Sequence, residues 1–327
     1  MNIKQAILEA FRRSAGGFVS GEELSQLCGC SRTAVWKHIG ELRSEGYEIE
    51  AVRKAGYRLV QAPDRLSAAE VLAGLSTTRI GQRVHAYDEV VSTQLVAHEM
   101  AAKGAPEGTL VLAEMQTGGK GRLGRQWHSP RGTGIWFSLI VRPHIPVPKT
   151  PQMTLLTAVA MARTIAEETG LNARIKWPND LFIGGKKVCG ILTELHAEAD
   201  RVHYLVIGIG VNVNSEAEDF PQPLAPIATS LKIEAGRKVD RVRLLQRFCA
   251  NFEESYDLYL KHGFQPIKEA WESLSWTIGR WVSVQTVSQQ LKGRAVGLDD
   301  EGVLVLEDEA GNLHKVYSAD VNYDANR

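Results

Sequence analysis

Apolar residues at Ile3, Ile7, Leu8 and Phe11 recur at helical spacing and predict an amphipathic first helix. In "SGEEL", Ser20 stands three residues before Glu23, a capping box that opens a second, short helix. Gly29 interrupts. Ser31 then caps "RTAVWKHIGELRSEG", where Val35, Ile39 and Leu42 make one buried stripe and Gly46 stops the helix. Two strand-like runs, "YEIEAV" and "YRLV", are joined by "RKAG". Three helices followed by a two-stranded ribbon is the order of a winged helix-turn-helix, assigned to residues 1–62.

A "QAPDRLS" linker closes that unit, and the pattern then changes. Over 66–268, strand-like runs ("GTLVLAEM", "IWFSLIV", "ARIKW", "KVCGILTEL", "YLVIGIGVNV") outnumber helical ones ("STQLVAHEMAAKG", "PQMTLLTAVAMARTIAEETG", "DRVRLLQRFCANFEESYDLYLKHG"). Several strands are separated only by turns, which predicts a mixed sheet with helices packed on one side. Over 275–327 only short strands remain, with "DDEG" and "EAGN" turns between them, the pattern of a small β-barrel.

Net charge is zero, so any nucleic-acid site must be local. Cys28, Cys30, Cys189 and Cys249 form no C-x-x-C pair and no disulfide framework; they are expected to be reduced thiols. The amino-terminal run carries charges within its apolar pattern, and the longest apolar helix, "TLLTAVAMARTIA", is too short to span a bilayer. A soluble, cytoplasmic protein without membrane contact is expected.

The chemistry concentrates in "TGGKGRLGRQW", where Gly119, Gly121 and Gly124 have the spacing of a dinucleotide fingerprint. That fingerprint needs a helix opening after the glycines. Here "RQWHSPRGTGIWFSLIV" leads through Pro130 into another strand, and no acidic residue stands about 20 positions on, so a nicotinamide enzyme is a poor fit. The loop's other reading is a mobile lid whose glycines approach a ligand or bend with positive φ, while Lys120, Arg122 and Arg125 surround a polyanion. A solvated basic hairpin is the plain alternative.

Two clusters bear on that choice. Gly184–Gly185 is a tight-hairpin signal, and Lys186 and Lys187 after it point to opposite strand faces, so one can enter a site. In "EVVSTQ", Ser92 or Thr93 ends a strand and caps a helix, presenting hydroxyls and free N–H groups. Asn179 and Asp180 read equally as a turn after Pro178. Together the clusters fit attack of a carboxylate on the α-phosphate of ATP, which needs cations, Mg²⁺ on the pyrophosphate and a lid that keeps water from the acyl-adenylate.

"GGKGRLGRQW", "KWPND", "KVCGIL" and "VIGIGVNVN", in this order, resemble the biotin protein ligases over essentially the whole chain, and the N-terminal winged helix resembles their bifunctional, operon-repressing subgroup. The resemblance implies an α+β protein: a winged helix-turn-helix, a class II synthetase-like mixed-sheet ligase domain and an SH3-like barrel. It implies biotinyl-5′-adenylate formation from biotin and ATP with Mg²⁺. Biotin then passes to a lysine of biotin carboxyl carrier protein, the acetyl-CoA carboxylase subunit, or of another biotin-dependent carboxylase. By the same resemblance Arg122 and Lys187 are catalytic. Ser92, Thr93, Gln94, Gln116, Lys120 and Gly121 join them around biotin, and Gly119, Arg125, Trp127, Asn179, Asp180, Gly190 and Asn212 around the adenylate. The family often has Arg at 120 and Asn at 94; Lys120 keeps the charge but loses the planar fork.

In the third helix, Ser31, Arg32, Thr33, Trp36, Lys37 and Arg43 lie off the buried stripe, and Arg53 and Lys54 mark the wing tip; these are the candidate DNA contacts. One such unit reads one half-site, so operator DNA would require a homodimer, expected when the adenylate is bound. Glu22, Glu23, Glu41, Glu45, Glu48 and Glu50 keep the domain nearly neutral, which predicts weak monomer binding. A winged helix used for protein contact, a ligand-sensing regulator without turnover, and a lipoate-type acyl-adenylating transferase stand as alternatives.

Overall fold

The computed structural model describes residues 3–198, 201–285, 290–317 and 320–323. The N-terminal unit contains α1 (Ile3–Arg13), α2 (Gly21–Cys28), α3 (Arg32–Ser44), β1 (Glu48–Val52) and β2 (Gly56–Gln61), the last two paired antiparallel. Ser20 and Ser31 accept from the Glu23 and Ala34 N–H groups, as their cap positions require. Ile7, Leu8, Phe11, Leu24, Val35, Ile39 and Leu42 make a core of their own. That core extends to Ala73 of α4 (Ala68–Ala73), a helix whose single buried turn and a half gave no periodic signal.

The central sheet is built from β3 (Arg83–Val90), β4 (Thr109–Gln116), β5 (Gly134–Val141), β6 (Arg174–Lys176), β7 (Asp180–Ile183), β8 (Lys186–Glu198) and β9 (Arg201–Asn212), in the order β3-β4-β5-β9-β8-β7-β6. Only β3 and β4 run parallel, joined through α5 (Thr93–Ala102). Both faces of this sheet carry helices, which corrects the one-sided arrangement expected above. α6 (Pro151–Thr169) and α8 (Arg241–His262), with the short α7 (Leu231–Ala235) before it, cover the face bearing Leu110, Leu112, Leu139, Ile207 and Ile209. α5 covers the other, packing Ala97 and Ala101 on Val111, Ile140 and Val206. Strand alternation separates the two sets: Leu110 and Leu112 face α6 and α8, and Val111 between them faces α5.

α9 (Gln265–Leu274) leads into β10 (Trp281–Gln285), β11 (Gln290–Leu298), β12 (Leu304–Glu307), β13 (Leu313–Val316) and β14 (Asp320–Tyr323), an antiparallel sheet ordered β13-β12-β11-β10-β14. Its inner residues, among them Val284, Ala295, Leu304 and Leu306, share one continuous hydrophobic core with the central domain. Trp276 N–H donates to the Ile175 carbonyl at 2.7 Å and Gln152 to that of Asp300 at 2.9 Å, fixing this sheet against β6 and α6.

No helix among the described residues is long and apolar enough to cross a membrane. All four cysteines are free. Burial pushes the Cys249 thiol up to about 12, and burial raises that of Cys189 further. In the folded protein at pH 8, iodoacetamide is therefore expected to modify Cys28 and Cys30 at most. Mass spectrometry showing two further adducts without denaturant would contradict this.

Candidate active site

A cleft of about 450 Å³ opens on the α5 side of the central sheet. Its floor is set by strand register: Trp136–Gly210–Gly190 form one rung across β5, β9 and β8, and Ser138–Gly208–Leu192 the next. The floor is deep because glycines stand where side chains would project. A Cβ at Gly210 would overlap the indole of Trp127, and one at Gly190 would stand 2.8 Å from the same ring. A Cβ at Gly208 would overlap the Gln94 amide. The indole lies edge-on to Trp136, with centroids 6.4 Å apart. Gly210→Ala is thus expected to displace Trp127 at a cost of about 1–3 kcal/mol in stability or nucleotide binding. A tryptophan-fluorescence titration with ATP that matches the unsubstituted protein would refute this.

At one end of the cleft the N-terminus of α5 supplies a polar cluster. Ser92 caps the helix, its hydroxyl accepting from Gln94 N–H at 3.3 Å. Gln116 Oε1 accepts from the Thr93 N–H (2.9 Å) and hydroxyl (3.1 Å), and Gln116 Nε2 donates to Ser129 Oγ at 2.9 Å. Gln94 is buried, and its Nε2 donates to the main-chain carbonyls of Leu192 (3.2 Å) and Val206 (3.0 Å) while Oε1 accepts from Ser138 (3.0 Å). Its amide hydrogens are therefore committed to the sheet, and Gln94 shapes the wall.

The same cleft gathers cations. Lys120, Arg122, Arg125, Lys176 and Lys187 line the cleft against one carboxylate, Asp180, among the described residues. Gly184 and Gly185 both have positive φ (58° and 82°), the hairpin turn anticipated from their sequence, and β8 then directs Lys187 into the cleft and leaves Lys186 exposed. Lys187 Nζ is 2.7 Å from Asp180 Oδ1 and 5.2 Å from the Trp127 ring centre. Arg122 Nη1 donates to Asn179 Oδ1 at 3.2 Å, and Asn179 Nδ2 donates to the Ile191 carbonyl at 2.7 Å.

The glycine loop is rooted on β3 and β4: Thr117 N–H donates to the Val90 carbonyl and Gly118 N–H to that of Val91. It folds back on itself through Trp127 N–H to Gly119 and Gly121 N–H to Arg125. Of its four glycines only Gly124 has positive φ (73°), and Leu123 shares that conformation (56°). Gly119 is needed for close approach instead, since a Cβ there would stand 2.6 Å from the Trp127 carbonyl oxygen.

Every cleft residue anticipated from the sequence lines this space except Gly119, which lies behind Trp127. Sequence reading missed Lys176, Gly208, Gly210 and the segment holding Phe220, Leu224, Pro226, Ile227 and Ala228. The alternating glycines of "VIGIGVNVN" were the available signal for the floor. The segment gave none, because only long-range pairing places it: Lys187 N–H donates to Ile227, Thr229 N–H to Lys187, and Asn212 Nδ2 to Thr229.

On the N-terminal unit, Ser31, Arg32, Thr33, Trp36 and Lys37 are exposed along α3, with Trp36 65% accessible, and Arg53 and Lys54 form the exposed β1–β2 turn. Arg43 is exposed as well, and its Nε donates to the Ile49 carbonyl of the wing at 3.0 Å.

Three families match along the chain: "HTH domain" at residues 4–58, "Biotin/lipoate A/B protein ligase family" at 87–212 and "Biotin protein ligase C terminal domain" at 277–322. The bifunctional ligase/repressor BirA of Bacillus subtilis is 51% identical over 98% of both chains. The chain belongs to the biotin protein ligases. Within that family its likeness is to the bifunctional members, including the ligase/repressor BirA of Escherichia coli, 29% identical over 90% of this chain and 89% of that one. The biotin protein ligase of Aquifex aeolicus, solved in complex with biotin and ATP, superposes with a TM-score of 0.65 at 27% identity, covering 74% of this chain and all of that one. A ligase of this family accounts for the glycine loop without a nicotinamide cofactor, and its HTH domain accounts for the exposed α3.

Proposed function

We propose that the cleft joins biotin to ATP and that α3 and the wing bind operator DNA. The observation that carries the reading is the cleft's lining: hydrogen-bonding groups at the α5 N-terminus, five cations, and Trp127 with Lys187 over its ring, all facing one space. Biotin's neutral ring system suits Ser92, Thr93 and Gln116, with its carboxylate directed toward the cations. The adenine suits the face of Trp127 and the neighbourhood of Asn212. The carboxylate oxygen attacks the α-phosphorus; a P–O bond forms, the bond to the β-phosphate oxygen breaks, and pyrophosphate leaves. Arg122 and Lys187 offset the charge that accumulates. A carrier lysine then attacks the acyl carbon, AMP departs and the amine loses a proton.

No group of three metal-capable side chains occurs among the described residues. Mg²⁺ would ride on the nucleotide's phosphates, with Asp180 as its protein oxygen donor. Bound there it would neutralise charge on the departing pyrophosphate.

The carrier substrate is proposed to be the biotin carboxyl carrier protein or another biotin-dependent carboxylase, and the protein to work in the cytoplasm. Ordering of the glycine loop by the adenylate would lower the entropy cost of homodimerisation, and two paired winged helices would then read operator half-sites. Carrier and second subunit would compete, so biotin demand would relieve repression. Incubation with biotin, ATP and Mg²⁺ should yield bound biotinyl-adenylate by mass spectrometry. Binding of biotin without the adenylate would instead favour a sensor lacking turnover. Sedimentation with and without the adenylate tests the dimer: an unchanged monomer–dimer constant removes that step.

A further inference from the structure

Arg241, the first residue of α8, is fully buried. Its guanidinium serves three segments far apart in sequence, one of them the Gly134 carbonyl of β5, which accepts from Nη1 at 3.0 Å. Nε donates to Asp64 Oδ1 (2.7 Å) and Nη2 to the Asp64 carbonyl (2.6 Å), both in the interdomain linker. Nη1 donates to Glu114 Oε2 (2.9 Å), on β4 two residues before Gln116. Glu114 Oε1 in turn accepts the linker's Leu66 N–H at 2.6 Å. Between these, Arg65 pairs with Asp88 of β3 at 2.6 Å. The linker thus touches β3 and β4 near the ends on which the glycine loop is rooted. On its far side it runs into α4, which pairs with α1 through Glu70 and Arg12 and is held to α8 by Gln246 Nε2, donating to the Glu70 and Val71 carbonyls at 2.9 Å each.

We infer that the Arg241–Asp64–Glu114 node is the positioning device through which occupancy of the cleft sets the placement of the DNA-reading unit. The fully buried Arg241 ties the linker to β4, because drawing either carboxylate away from it breaks a charge-assisted hydrogen bond. A shift of the β3 and β4 ends as the loop orders over ligand is therefore passed to the linker. Arg241 and Asp64 touch neither substrate in this scheme; they act through the strand ends and α4. The inference rests on the proposed ligand site.

Hydrogen exchange on the full chain, with and without biotin, ATP and Mg²⁺, tests it. In the unsubstituted protein, ligand should slow exchange of amides 117–127 and also of 64–73, the latter by about fivefold or more, the low end of typical intersite coupling. Asp64→Ala keeps Arg241 paired with Glu114. It should retain protection at 117–127 and adenylate formation, and weaken protection at 64–73, where the Asp64 carbonyl still accepts from Arg241 and Leu66 N–H still donates to Glu114. Lys238→Ala removes the other partner of Asp64, 2.8 Å away, and should keep both. Protection at 64–73 that survives Asp64→Ala undiminished, or that never accompanies loop protection in the unsubstituted protein, overturns the inference. Absence of protection at 117–127 in the unsubstituted protein overturns the ligand site itself, and the inference with it.

Discussion

Lys187→Ala should slow adenylate formation by about 100- to 1,000-fold, the loss expected on removing one preorganised donor from a site of developing charge, whereas Lys186→Ala should leave it within twofold. The asymmetry follows from the pleat. Consecutive residues of β8 point to opposite faces, and only Lys187 enters the cleft, between Asp180 and the Trp127 ring. The fold should survive, because the Lys187 side chain is not part of the apolar core. Loss of the ammonium also leaves the Asp180 carboxylate without its Lys187 partner. Lys187→Arg restores the charge with a different shape and should recover part of the rate. Pyrophosphate release is the measurement, and equal defects at 186 and 187 would end the assignment.

Arg122→Ala should release the reaction's intermediate into solution. Arg122 sits on the loop, not the sheet, and donates to the Asn179 side-chain carbonyl. Losing one preorganised charge contact to the adenylate costs roughly 2–4 kcal/mol, about 30- to 1,000-fold in retention. The escaped biotinyl-adenylate would acylate whatever lysines it meets, so carrier selectivity should fall as the off-rate rises. Thermal stability should be unchanged, since the loop cation contributes nothing to a core. An unaltered off-rate together with unaltered selectivity would remove Arg122 from the site.

The parts of this molecule that were legible in its sequence are those set by neighbours along the chain. Ser20, Ser31 and Ser92 announce helix starts because a cap bonds an amide two or three residues on. Gly184–Gly185 announces a hairpin because the turn itself demands positive φ. The side of the sheet that α5 covers was not legible, because a helix's own pattern says that it has an apolar face and not which surface receives it. Arg241 was hidden for the same reason. In "DRVRLLQRF" it reads as one more helical arginine, and the carboxylates that bury it come from positions 64 and 114. Gly208 and Gly210 lie between: their alternation was visible, yet its meaning depends on Gln94 and Trp127 arriving from elsewhere.

The single hydrophobic core that the C-terminal sheet shares with the central domain imposes an order on biosynthesis. The N-terminal core is complete once the chain has emerged to Ala73, whereas the larger core still awaits residues as late as Val321. Domains fold as units while the ribosome is still at work, the earliest first. A nascent chain would therefore be able to close its DNA-reading unit before the larger core that carries the ligand site.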